Sequence, residues 1–231
     1  MNFLLDGFGQ AISLLVSGDA DTWQAVWLSL WTSLLAVAIG TALGATLGTY
    51  VGLVRPRGSA FFVALFRVGM SAPTVVIGLV LYGLLCSRGP LGGLGLLYTP
   101  AAIVIGQTLL ATPILASLGQ AAAASLDTRL VETVRTHGGG TLLAVRLAMS
   151  ETRPALTTAV LSAFGRCITE LGIALAVGGG IRHLTRTLPT LVSLETSRGE
   201  FDRGLAAGLI LVLLACGAAL IAPFVSRERR R

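Results

Sequence analysis

The chain has 231 residues, of which 54% are hydrophobic and 12% charged, with a mean hydropathy of +0.82. A soluble domain of that composition would be coated in apolar surface, so the bilayer is the natural solvent. All 17 basic residues are arginine, and with 11 acidic residues the net charge is +6. Arginines placed at the ends of apolar runs point to membrane topology and not to nucleic acid. The lack of lysine excludes an ordinary Gly-rich phosphate loop, which needs a Lys beside its Ser/Thr.

In chain order, residues 1–22 are read as an outer or interfacial amino-terminal segment, broken by Asp6, Gly7 and Gly9. The first basic residue of the chain is Arg55, so this segment lacks the positive start of a signal peptide and is read as retained. Five apolar segments follow, each meeting or approaching the roughly 20 residues that a 30 Å hydrocarbon core requires. They are Ala25–Val54, Met70–Cys86, Ala101–Ala124, Ala155–Val177 and Leu205–Val225. The second is short unless the run from Phe61 adds a tilted or interfacial turn. Gly40, Gly44, Gly48 and Gly52 recur every four residues, giving the first span a bare stripe for close helix packing. Pro73 and Pro113 lie within the second and third spans and are expected to kink them. Cys86, Cys167 and Cys216 are too dispersed for a disulfide or metal pattern and read as packing residues.

Between the third and fourth spans lies a polar island, Leu126–Arg153, LDTRLVETVRTHGGGTLLAVRLAMSETR. Asp127–Arg135 has helical composition, Gly138, Gly139 and Gly140 form a turn, and Leu142–Met149 resumes an amphipathic helical pattern. Two short helices joined by a glycine turn make a docking surface, with an ordinary solvated loop as the competing reading. Within the fourth span, Arg166 and Glu170 stand one turn apart, so they can pair and should face protein. A structural pair and a role in anion passage both fit. After the break at Gly178–Gly180 come Arg182, His183, Thr185, Arg186 and Thr187. These offer positive charge and hydroxyl donors to an anion, or simple interfacial anchoring.

Orientation follows the arginines. With the amino terminus outside, the cytoplasmic side receives Arg55, Arg57, Arg67, Arg129, Arg135, Arg146, Arg153 and the tail 226–231 with Arg227, Arg229, Arg230 and Arg231. The outer side receives Arg88, Arg182, Arg186, Arg198 and Arg203. The carboxyl terminus is then cytoplasmic. Paired-Cys, Gly-x-Ser-x-Gly and His-Glu-x-x-His signatures are missing, and His137 and His183 fall on opposite sides in this topology, which argues against a membrane-embedded enzyme. A secondary transporter stays open as the rival, because Arg166 and Glu170 are intramembrane charges.

The polar island resembles the coupling loop of ATP-binding-cassette (ABC) importer permeases. Glu132 and Gly138 match its Glu and Gly at the right spacing, while Thr133 and Val134 replace its alanines and Ser150 and Glu151 replace its closing Leu-Pro. Ser71–Ile114 and Phe164–Leu211, the latter containing LETSRGEF at Leu194–Phe201, are similar to the tungstate-type permeases of this class, and the resemblance covers roughly residues 25–225. Molybdate and sulfate permeases are related. The resemblance implies an all-α polytopic permease domain of the type I importer fold over residues 1–231, in a bacterial or archaeal cytoplasmic membrane. It also implies a homodimer, two ATP-binding subunits that hold ATP-Mg, and an extracytoplasmic oxyanion-binding protein. The chain itself would carry no cofactor, no metal and no catalytic residue, and would bind lipid but no nucleic acid. Arg129, Glu132, Arg135, Gly138, Gly139 and Arg146 are the expected ATPase-coupling residues. Arg166, Glu170, Arg182, Thr185 and Arg186 are the candidates for the substrate path or gate.

Overall fold

A computed structural model describes Gly9, Ile12, Ser13, 19–127 and 129–227. Most of the amino-terminal segment 1–22, Asp6 included, and the tail arginines Arg229, Arg230 and Arg231 lie outside the described residues. Regular structure among the described residues is helical: α1 (Ala20–Gly40), a π-helical turn (Thr41–Ala45), α2 (Thr46–Val54), α3 (Ser59–Met70), α4 (Thr74–Leu85), a 3-10 turn (Gly92–Leu94), α5 (Pro100–Ala124), α6 (Arg129–Thr136), α7 (Thr141–Glu151), α8 (Arg153–Ile168), a second π turn (Ala174–Gly178), α9 (Leu188–Ser197) and α10 (Phe201–Arg227).

Ala20–Val54 forms one 35-residue helix and Pro100–Ala124 one of 25, both long and apolar enough to cross a bilayer. The first begins at Ala20, five residues ahead of the sequence estimate, because Asp19 caps it: its carboxylate accepts from the backbone N–H of Thr22 at 3.0 Å. The second span differs more. It is not one helix from Met70 but the pair α3 and α4, bent by 96° at Ser71–Pro73, and Pro73 sits at this break, ahead of α4, not within a helix. Proline has no N–H to give and disfavours a helical conformation at the residue before it, so α3 stops and a new helix starts. Pro113 does lie inside a helix, α5.

The described residues form two compact units that the chain visits in turn. The first draws on Met1–Ala36, Pro73–Gln107 and Gly165–Ala218, the second on Val37–Ala72, Thr108–Phe164 and Ala219–Arg231. In the second unit, the glycine stripe packs on α5. A Cβ at Gly40 would meet the Ala111 side chain at 2.9 Å, and Cβ atoms at Gly44, Gly48 and Gly52 would run into the carbonyl oxygens of Thr112, Ala116 and Gln120. Backbone lies directly on backbone there, which only glycine permits. The Arg55 guanidinium closes the end of α5 by donating to the Ala124 carbonyl at 3.2 Å, a cation at a helix carboxyl terminus.

In the first unit, Ala25, Val26, Leu188, Leu191, Ala207 and Ile210 form a core that ties α1, α9 and α10 together. Ser29 supports it by accepting the Leu188 N–H at 2.8 Å. Leu194–Phe201 ends α9, turns through Gly199 at φ +79° and opens α10.

Gly48→Ala should lower the unfolding free energy in detergent by about 1–3 kcal/mol, since the Ala116 backbone cannot yield like a side chain. Gly83→Ala, with nothing within 4 Å of the new Cβ, should be neutral within about 0.5 kcal/mol. Thermal unfolding of the two variants side by side checks this.

Candidate functional site

Three groups of predicted residues can be built up from their elements. The polar island folds as the sequence predicts, into α6 and α7. At the end of α6 the Gly139 N–H donates to the Val134 carbonyl at 2.8 Å while Gly138 takes φ +77°, a Schellman stop that a β-carbon would strain. Gly139 is restricted for a different reason: its Cβ would lie 2.6 Å from Val134 Cγ1 and 2.9 Å from Leu143 Cδ2. These two glycines therefore fix how α6 and α7 meet. Ala144, Val145 and Ala148 bury one side of α7, which packs on α2. The other side exposes Leu142, Leu143 and Leu147 beside Arg146, and α6 exposes Arg129 and Glu132. An apolar strip flanked by charges is the composition of a surface that another protein covers. The side chain of Arg135 lies outside the described set.

The second group lies where the fourth span fails. The sequence predicts a continuous helix over Ala155–Val177, but α8 ends at Ile168, and Thr169–Leu171 interrupt it before the chain turns helical again at Gly172. Glu170 holds the interruption. Its Oε1 accepts the N–H groups of Gly172 at 2.9 Å and Ile173 at 3.3 Å, while its Oε2 accepts from Arg166 at 2.9 Å. Gln107 on α5 donates to the Cys167 carbonyl at 3.0 Å, satisfying an acceptor near the broken end. Glu170 is nearly enclosed, with 2% of its side chain exposed, whereas the Arg166 side chain is 46% exposed. That guanidinium opens onto a cleft of about 620 Å³ lined with Thr74, Val75, Leu79, Thr169, Leu175 and Ala176. The pair anticipated from spacing is present, and its two members are unequal. Gln107 carried no signal in the sequence, because one amide in an apolar helix has no pattern around it.

The third group gathers around Asp21. Arg182 donates to both Asp21 oxygens, at 3.0 and 2.6 Å, and this contact raises the guanidinium above its ordinary pKa. His183 Nδ1 lies 2.6 Å from Gln24 Oε1 and Arg186 donates to the Gly180 carbonyl. Thr185 is fully buried, donates to the Gly178 carbonyl and accepts from the Ile181 N–H, so its hydroxyl is committed to shaping the loop. Thr187 is likewise occupied by Thr190. A cavity of about 350 Å³ here is lined by Arg182, Arg186, Arg198 and Arg203, matched against Asp19, Asp21 and Glu195. The acids were invisible as partners in sequence, since Asp21 and Arg182 are 161 residues apart. Among the described residues no cluster of His, Cys, Asp or Glu is placed to hold a metal ion, and the cysteines are free.

With this geometry in place, comparison with known proteins decides the family. The chain is 37% identical over 215 residues, 93% of its length and 90% of the relative's, to a tungstate uptake system permease protein of Campylobacter jejuni. It belongs to the tungstate-type permease family of ABC importers. A tungstate uptake system permease of Peptoclostridium acidaminophilum is 34% identical, over 93% of this chain and 94% of that one. A probable anion ABC transporter permease of Haloferax volcanii is 38% identical, over 75% of this chain and 78% of that one. Molybdenum permeases are more distant, at 26% identity for that of Azotobacter vinelandii over 70% of this chain. Searched against family models, the chain matches none. The fold agrees: a permease chain in an inward-facing structure of the MetNI methionine ABC transporter superposes with a TM-score of 0.72 over 91% of this chain and 98% of that one, at 18% identity. A second crystal form of MetNI gives 0.68.

Glu170→Ala should strip two backbone N–H groups and a guanidinium of their partner at once, lowering the unfolding free energy by about 3–5 kcal/mol. Thr169→Ala, on the exposed side of the same break, should stay within about 1 kcal/mol. Thermal unfolding in lipid nanodiscs distinguishes the two.

Proposed function

We propose that this chain is the membrane-spanning subunit of an ATP-driven importer of a tetrahedral oxyanion, tungstate first, with molybdate or sulfate as the alternatives in the same class. Two copies form the path, two ATPase subunits dock on α6 and α7, and an external binding protein delivers the anion to the opposite face, where the amino terminus lies. The observation that carries this reading is the α6–α7 pair itself. A short helix pair locked by Gly138 and Gly139 and rooted on α2 exposes leucines and arginines together, in a member of the tungstate-type permease family.

The chain lacks lysine and so lacks an ordinary phosphate loop, which means that the energy of ATP must enter mechanically. A rigid helix pair suits that role, because a partner's movement displaces it as a unit and favours one of two arrangements of the spans over the other. Alternating access follows if the inward-open and outward-open arrangements differ in how they hold this pair. Arg129, Glu132 and Arg146 stand on its exposed surface and orient the ATPase, while the exposed leucines supply the apolar contact.

Gly138→Leu should reduce ATPase co-purification and ATP-driven uptake at least about tenfold, because φ +77° is strained for leucine and the two helices would reorient. Membrane insertion should be unaffected. ATPase binding at the wild-type level with normal uptake would count against the reading. In the reconstituted complex, tungstate should stimulate ATP hydrolysis more than molybdate, and a response to sulfate alone would reject the choice of substrate. Uptake that persists without any ATPase would favour a secondary transporter.

A further inference from the structure

Arg166 holds the least committed charge in the membrane-spanning part of the first unit. A guanidinium has five N–H donors in a fixed fork. The structure assigns one of its nitrogens to Glu170 and leaves almost half of the side chain open to a cleft whose other walls include Val75, Leu79 and Leu175. Charge within a span is costly where it faces lipid, so a half-open arginine there faces protein or a water-filled path. Glu170 differs in kind: it borders the same cleft, but both of its oxygens are taken and its side chain is almost fully buried.

We propose that Arg166 contacts the oxyanion in transit, and that Glu170 is the positioning residue that aims it. This rests on the importer reading given above. The contact is an N–H fork presented to two oxygens of a tetrahedral dianion, the geometry that suits arginine best. Glu170 contributes in two ways. It anchors one nitrogen, so that the remaining donors are held in place, and it cancels the charge of Arg166. The dianion therefore meets oriented donors at a site that is neutral overall, favourable enough to enter and too weak to trap the ion. The break in the span is what permits this arrangement, since Glu170 caps the renewed helix with one oxygen while the other turns to Arg166.

The test uses the complete transporter in proteoliposomes, with binding protein and tungstate, measuring tungstate taken up per ATP hydrolysed along with the melting temperature. Arg166→Gln should reduce uptake per ATP about tenfold and lower the melting temperature, because Glu170 loses its partner. The double variant Arg166→Gln with Glu170→Gln removes that buried unpaired charge, so it should regain stability without regaining uptake. Arg166→Lys, which keeps the charge opposite Glu170 but loses the fork, should regain stability while uptake per ATP stays at least about threefold below wild type. Recovery of uptake along with stability in the double variant would show that the pair serves structure alone and would overturn the proposal. So would normal uptake per ATP in Arg166→Gln, or an Arg166→Lys protein that transports as well as wild type, since a point charge would then suffice in place of the fork. If the wild-type complex shows no ATP-dependent uptake, the importer reading falls, and this proposal with it.

Discussion

Within a hydrocarbon core each peptide N–H and C=O needs a partner supplied by protein, so a helix can be interrupted there only where side chains replace the lost backbone bonds. Glu170 meets that condition for the fourth span. One carboxylate accepts two backbone N–H groups and an arginine, and Gln107 attends to a carbonyl on the other side of the gap. Remove the carboxylate and the interruption becomes a defect with three orphaned donors. Keep it, and the chain can turn, place Arg166 on an open cleft, and resume as the π-helical turn that leads to Gly179 and Gly180. In transport proteins, broken helices line the route of the cargo.

In the importer reading proposed above, the second unit answers a different demand, the transmission of movement. Direct backbone contact between the glycine stripe and α5 makes a stiff pair of long helices, because such surfaces have no side chains to rearrange. Next along the chain, α7 is seated on α2, and the Schellman stop at Gly138 sets the direction of α6. Force applied to the exposed leucines of α7 thus reaches a long helix through tight contacts. Packed interfaces of this kind respond by switching between arrangements more readily than by bending.

Much of this was legible in the sequence where the relevant physics is local. The four-residue glycine spacing, the helix pair flanking Gly138–Gly140 and the spacing of Arg166 and Glu170 all reflect contacts within one or two helical turns or a single repeated interval. What was not legible depends either on partners far apart or on local turns that spacing alone does not disclose. No proline marks the break at Thr169–Leu171, and only a carboxylate folding back onto Gly172 and Ile173 reveals it. Pro73 read as a kink because proline signals that the helix is disturbed without saying by how much; 96° is a full corner. Arg182 read as a free positive charge since Asp21, its bidentate partner, belongs to the opposite end of the sequence. Thr185 looked like a spare donor because the turn that folds the chain back and brings Gly178 and Ile181 onto its hydroxyl has no pattern in the sequence.

Amide hydrogen exchange at Gly172 and Ile173 in lipid nanodiscs, compared between wild type and Glu170→Ala, tests most directly whether one carboxylate sustains the broken span. Slow exchange at both amides in the wild type, accelerated at least about tenfold in the variant while α5 stays protected, is the result expected. Equal protection in the two proteins would mean that something other than Glu170 holds the break, and the account of the fourth span would be wrong.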